Sequence, residues 1–251
     1  MQIYLSVTPS QVSAAMPYTH NLAHVAYRIG AGGQLHRLRV DARGGLLSLS
    51  DRDAPPIGSD EALCGELLRE CNRQGYAGVV ADFEEMPTPD RSLFLTHLAA
   101  LLRRNRRVLY VPEGYTVPGA IPLLCTALSG GSLQERLSDG ARDGRPLALD
   151  VQRMAMDFPL PSPTGEGCPL SRTELEALLA ERQSFYSPTL CAKYCTYVRG
   201  GETHFVLYDD AATLLQKLRL GRQIGAQAAF LMFPEVEDLL PALFSPPERK
   251  K

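Results

Sequence analysis

The chain has 251 residues, enough for one sizeable core and typical of a single eight-stranded α/β barrel, so a second domain is not required. Apolar residues make up 45% and charged residues 22%, which excludes disorder on composition. The formal charge is −2 and basic runs are confined to Arg103-Arg104, Arg106-Arg107 and the Arg249-Lys250-Lys251 tail, which argues against a nucleic-acid partner.

The opening MQIYLSVTPSQV lacks the basic-then-apolar build of a secretory leader, and no run of about 18 apolar residues occurs. The expectation is a cytoplasmic protein with no membrane partner. Short apolar, β-branched or aromatic runs alternate with amphipathic stretches along the chain, the pattern of a parallel sheet covered by helices. Gln2–Val7, His24–Ile29 and Leu46–Ser50 read as strands. Ser59 is placed to cap a helix in which Leu63, Leu67, Leu68 and Cys71 recur at helical spacing until Gly75 stops it.

Residues 75–85, GYAGVVADFEE, then read as a buried strand. In extended chain, residues two apart share a face, so Val80, Asp82 and Glu84 point one way and Val79, Ala81 and Phe83 the other. Two carboxylates leaving one strand end suit acid–base work on a single substrate.

Phe94 to Leu102 has helical spacing, and Arg107–Val111 is a strand closed by Pro112-Glu113-Gly114. Leu123–Leu128 is apolar and runs into Ser129-Gly130-Gly131-Ser132, a tight turn whose last serine caps a helix from Leu133. Pro146–Asp157 reads as one further strand before a proline-rich loop, and Ser171-Arg172-Thr173-Glu174 is a capping box. Cys195–Tyr208 reads as a hairpin about Gly200-Gly201, Thr213–Ile224 as a helix, and Ala228–Phe233 as a closing strand. Residues 1–245 form one domain, and 246–251 a frayed tail.

The six scattered cysteines read as buried thiols of a reducing compartment. Cys191 and Cys195, with His204, lack a CxxC spacing, so no metal and no cofactor are expected.

GYAGVVADFEE resembles the fourth-strand signature of glycoside hydrolase family 18, DxxDxDxE after a Gly-Tyr or Gly-Phe lead. MAMDF at Met154–Phe158 is similar to that family's sixth-strand MxYD motif. From Tyr197, YVRGGETHFVLYDDAATLLQKLRLGRQIGAQAAFLMF resembles its closing section: a hairpin with a His, an acidic pair, a Lys-bearing helix and a Gly-rich approach to the eighth strand. By this pattern the nearest members are the compact bacterial, spore-associated ones.

The resemblance implies a small (β/α)8 barrel with a β-hairpin inserted before the last helix and an active face at the strands' C-terminal ends. It implies hydrolysis of a β-glycosidic bond next to an N-acetylated amino sugar, in a peptidoglycan or chitin-type fragment. The substrate's own acetamido oxygen is the nucleophile and the anomer is retained. Glu84 matches the general acid, with its pKa expected to be raised by Asp82 and by partial burial, and Asp82 matches the carboxylate that orients the acetamide.

Asp157 and Met156 match the Asp and Tyr positions of the sixth-strand motif, and Phe233 stands where a Trp floor is expected. The chain has no Trp, so Tyr115, Phe158 and Phe233 are the candidates for stacking on a sugar. Glu113, Glu85 and Glu235 fall just past strands on the same face. His204 matches a structural His, and Asp209-Asp210 reads as a helix cap.

Three motif positions differ. Ala77 and Val80 replace two Asp, and Met156 replaces Tyr. Val80 removes the carboxyl that would share a proton with Asp82, and Met156 has no hydroxyl to steady an acetamide. These changes favour a second reading, a glycan-binding barrel of little or no activity. A third reading, metal-assisted chemistry at Asp82, Glu84 and Glu113, would suit Mg2+ but has no supporting His or phosphate loop.

Overall fold

The strands are β1 (Gln2–Val7), β2 (Leu22–Ile29), β3 (Leu35–Arg37), β4 (Leu46–Ser50), β5 (Gly78–Asp82), β6 (Val108–Pro112), β7 (Ile121–Cys125) and β8 (Ala148–Asp150). They continue with β9 (Ala155–Leu160), β10 (Cys168–Pro169), β11 (Phe185–Ser187), β12 (Ala192–Arg199), β13 (Glu202–Tyr208) and β14 (Ala228–Met232). The helices are α1 (Val12–Ala15), α2 (Glu61–Gln74), α3 (Pro89–Arg104), α4 (Leu133–Ala141), α5 (Arg172–Ala180), α6 (Ala211–Gln223), α7 (Phe233–Val236) and α8 (Leu240–Phe244). This computed structural model describes residues 1–244 except 53, 56, 58–60, 143, 163 and 164. The expected cap Ser59 and the tail 246–251 therefore lie outside the described residues.

Eight parallel strands close a barrel in the order β1, β2, β4, β5, β6, β7, β8, β14, with β14 pairing back onto β1 and β3 adding antiparallel to the end of β2. The (β/α)8 architecture expected from the sequence is the observed one. The link from β6 to β7, residues 113–120, has no helix.

Strand alternation sorts the apolar side chains into layers. Tyr4, Ala23, Leu46, Val80, Tyr110, Ile121, Ala148 and Phe230 fill the inside of the barrel. Phe230 stacks on Tyr4 with centroids 5.2 Å apart and meets Tyr110 edge-on at 5.0 Å. Val79, Ala81 and Phe83 face out, against Leu63 and Leu67 of α2 and Phe94 and Leu98 of α3. Leu5, Leu149 and Leu231 pack outward against Leu214 and Leu218 of α6. The face assignment read from GVVADFE therefore holds, with Val80 inside the barrel.

The helices start on the caps their sequences provide. Thr88 caps α3 through a 3.2 Å bond from the Arg91 amide, Ser132 caps α4, and Ser171 with Glu174 makes the capping box of α5. Asp210 caps α6 in the same reciprocal way with Thr213.

The expected hairpin is β12–β13, turned by Gly200 and Gly201 at φ 61° and 88°, where a side chain would be strained. It is part of a larger element, a five-stranded antiparallel sheet in the order β10, β9, β13, β12, β11. Two expectations are corrected here. Pro146–Asp157 is not one strand: β8 ends at Asp150 and β9 starts at Ala155 in the second sheet. The sixth barrel strand is Ile121–Cys125, so Met154–Phe158 is not a sixth-strand motif.

The break has a physical cause in residues 152–154. The Gln152 side chain bonds back to Asp150, Arg153 is tied to the carbonyl of Glu235 and to Asp238, and the Met154 amide donates to Asp209. These bonds turn the chain off the barrel.

Candidate active site

At the C-terminal mouth of the barrel lies a cavity of about 600 Å3. Its floor is Val80 and Phe230, small residues Ser6 and Ser48 leave it open, and Met232, Leu123 and Cys125 line its walls. Five carboxylate residues line it: Asp82, Glu84, Glu113, Asp150 and Glu235. No Lys, Arg or His is among its lining residues.

Asp82 is the last residue of β5 and shares the inward face of Val80. Burial first, then the charges of Glu84, Asp150 and Asp51, push its pKa up to about 6. No hydrogen-bond donor among the described residues reaches its carboxylate. Glu84 sits just beyond the strand and is exposed at the rim, so the burial expected there falls on Asp82 instead. Its main-chain amide is held by Asp51 at 3.0 Å.

Asp150 is the residue that sequence reading missed. It ends β8 as Asp82 ends β5, and burial, with the Glu235 and Glu113 charges behind it, lifts its pKa to about 6 against a 2.7 Å bond from Gln152. The signal was present: Leu147-Ala148-Leu149-Asp150 is an apolar run ending in an acid, like the one at Asp82, but reading the strand on to Asp157 hid that end.

Glu113 lines the same cavity and is ion-paired with Arg136 of α4. Glu235 lines it too, its pKa raised by burial while Arg153 pulls the other way.

The remaining candidates lie elsewhere. Asp157 points into the second sheet, where it accepts hydrogen bonds from the Tyr197 hydroxyl at 2.6 Å and His204 Nδ1 at 3.0 Å. His204 stacks on Tyr197, consistent with the structural part expected of it. Met156 and Phe158 line a neighbouring cleft of about 560 Å3, which shares Gln152 and Glu235 with the main cavity.

Tyr115 is buried against Phe83 between barrel and helices, its hydroxyl on the Glu85 carbonyl, and so offers no face to a sugar. Phe233 is buried as well. Pro234 starts a helical turn at α7 that swings the Phe233 ring out of the barrel into the apolar layer under α6 and α8. Met232 is the residue left at the mouth, and Phe230 is the aromatic at its floor.

Among the described residues no group of three or more His, Cys, Asp or Glu is arranged to hold a metal ion, and no helix is long and apolar enough to cross a membrane. Cys195 is buried under α5 with Leu175 and Val206, and Cys191 lies in the layer under α6.

No protein-family model and no curated protein sequence matches the chain. Among solved structures it is similar to a chitinase from Chromobacterium violaceum ATCC 12472, with a TM-score of 0.71 at 16% identity over 96% of this chain and 97% of that one. The spore cortex-lytic enzyme SleL of Bacillus megaterium QM B1551 superposes with a TM-score of 0.64 at 16% identity, over 99% of this chain and 75% of that one. A family 18 chitinase from Cycas revoluta in complex with (GlcNAc)3 gives 0.66 at 13%, over 97% and 98%. At these identities the likeness is one of fold: the chain is a (β/α)8 barrel built like those of family 18 glycoside hydrolases.

Proposed function

We propose that the protein is a glycosidase that cleaves a β-glycosidic bond beside an N-acetylated amino sugar, with Glu84 as general acid and Asp82 orienting the acetamide. One observation carries this reading: the two carboxylates leave the fourth barrel strand together and open into the cavity at the mouth. Glu84, exposed at the rim, is placed to protonate a leaving oxygen. Asp82, partly buried and without a protein donor, is left to accept from a ligand N–H. The acetamido oxygen then attacks C1, so no second protein carboxylate need do so.

The structural neighbours are described as chitinases and a spore cortex-lytic enzyme, which supports a GlcNAc-containing glycan as the substrate class. A cytoplasmic address, the expectation from the sequence, would limit the substrate to short fragments.

The test is release of labelled product from N-acetylglucosamine oligomers and muropeptide fragments by the protein and by Glu84→Gln. Loss of a positioned general acid removes about 10²–10⁴-fold in rate, and unchanged activity would remove Glu84 from the acid role. A second reading is favoured by one observation, the apolar Val80 beneath Asp82: a barrel that binds the glycan without turning it over. Binding without product, abolished by Asp82→Ala, would establish it.

A further inference from the structure

We infer that Asp150 is the charge partner of Asp82, a positioning residue that takes up, from across the barrel mouth, the proton-sharing task that Val80 cannot perform. This rests on the hydrolase reading above and adds a residue to it.

Of the carboxylates in and beneath the mouth, two already have cations. Asp51 faces Asp82 from the end of β4 but is 3.0 Å from Arg91 of α3. Glu113 faces Asp150 from β6 and is paired with Arg136 of α4. Glu235 faces Asp150 from α7 and has no ion pair among the described residues, but its carboxylate accepts from the Arg153 main-chain amide at 3.4 Å. Glu84 faces Asp82, and its proton is spoken for by the leaving group.

Asp82 and Asp150 remain, each ending an inner strand, each lining the one cavity, and neither in an ion pair among the described residues. Asp150 accepts one bond, from Gln152, and Asp82 none. Like charges in one partly buried cavity oppose joint ionisation, so a proton is held by the pair and not by either residue. The residue two before Asp82 would be the obvious partner on the same strand. Val80 there belongs to the apolar floor.

The chemistry gives the pair a use. As the acetamido oxygen bonds to C1, the bond from C1 to the leaving oxygen breaks and that oxygen takes the proton of Glu84. The new ring carries a positive charge on its N–H side, which Asp82 stabilises as a carboxylate, its proton passing through water in the cavity to Asp150, with which it has no direct hydrogen bond. Water then attacks C1, gives its proton to Glu84 and restores the acetamide, and Asp82 recovers its proton from Asp150 by the same water route. Charge and protons balance over the cycle.

The experiment is a carboxyl-carbon NMR titration of the intact protein and of Asp150→Asn, which preserves an acceptor for Gln152. In the unaltered protein Asp82 and Asp150 should titrate in two shared steps. In Asp150→Asn the Asp82 curve should become a single step with its midpoint lower by roughly half a unit or more. Separate single-step curves in the unaltered protein would overturn the inference even if the variant failed to fold, and so would an Asp82 midpoint that the substitution leaves in place.

If N-acetylglucosamine oligomers are turned over, the acid limb of kcat/KM should move to lower pH in Asp150→Asn with KM little changed. Absence of turnover by the unaltered protein counts against the hydrolase reading alone, because the titration is read without substrate.

Discussion

The main-chain amide of Glu84 is bound to the carboxylate of Asp51, 3.0 Å away and 33 residues earlier in the chain. Asp51 is fully buried and its second oxygen lies 3.0 Å from Arg91 Nε, so one ion pair beneath the rim fixes the loop that carries the proposed acid. Burial lifts the proton affinity of Asp51, and the Glu84 amide and Arg91 oppose that lift. Asp51→Ala frees the loop and leaves Arg91 largely buried without its anion. A misplaced acid costs on the order of 10–100-fold in kcat, with KM less affected. Breaking a buried pair costs about 3–5 kcal/mol. Steady-state kinetics and denaturant unfolding of Asp51→Ala check both, and a variant with unchanged kcat would show that the clamp does not position Glu84.

The two raised carboxyls make stability depend on pH in a definite direction. Asp82 and Asp150 have folded-state pKa values near 6 against an ordinary 3.8, so the folded protein binds protons that the unfolded chain releases. Their contribution is therefore neutral below about pH 4. It turns unfavourable as pH rises from about 4 to 6, and stays so above. Each shift corresponds to about 3 kcal/mol at most, and solvent in the cavity reduces that to on the order of 1–2 kcal/mol. Asp82→Asn and Asp150→Asn should each be more stable than the parent at pH 7.5, with the gain gone at pH 4. Urea midpoints at the two pH values decide it, and an equal effect at both would mean that the carboxyls are not strained. In Asp82→Asn the stability should come with lost turnover, the usual exchange at a site built for chemistry.

The barrel was legible because its signals are local: alternation at Val79, Val80, Ala81 and Asp82, and caps at Ser132, Ser171 and Asp210, each depend on near neighbours in sequence. The site was legible only where a strand end was marked by the sequence itself. Gly75 before β5 and Pro87-Thr88-Pro89 after it bracket Asp82 and Glu84. No such mark follows Asp150, because Val151-Gln152-Arg153-Met154 reads as more strand. What ends β8 is a set of long-range bonds, from Arg153 to the Glu235 carbonyl and Asp238 and from Met154 to Asp209, which span 55 to 85 residues. The same limit misplaced Asp157, Met156, Phe233 and Tyr115. Whether an aromatic or acid near a strand end turns into the mouth or away from it is decided by packing partners far along the chain.

Gly78 opens β5, and a Cβ there would collide with the carbonyl oxygen and side chain of Val108 on β6. These two strands are paired through Gly78 and Val108, so the clash cannot be relieved by a side-chain rotation alone. Gly78→Ala must push β5 and β6 apart two pleat repeats below Asp82. Overpacking of this kind costs about 1–3 kcal/mol. A lowered unfolding midpoint with reduced binding of N-acetylglucosamine oligomers is expected. A variant as stable as the parent would mean that the strands have slack at this point.

Lys217 of α6 and Asp209, both shielded from solvent, form an ion pair at 2.7 Å. Asp209 also accepts from the Thr213 hydroxyl at 2.8 Å and from the Met154 amide at 2.9 Å, so one carboxylate fastens the last crossover helix to the point where the chain leaves the barrel after Asp150. Burying both charges gives little net stability, but removing one strands the other. Lys217→Met should therefore cost about 3–5 kcal/mol although it is close in volume. Asp209→Asn, which keeps one acceptor oxygen for the Met154 amide and gives up the one that takes the Thr213 hydroxyl, leaves a buried ammonium and should cost at least as much. In the double variant neither charge remains, and the loss should be well below the sum of the single losses. Denaturant unfolding of the three variants supplies the cycle. Additive losses would mean that the two residues act separately, and that the path of the chain past Asp150 is set by the hydrogen bonds of Asp209 without help from the lysine.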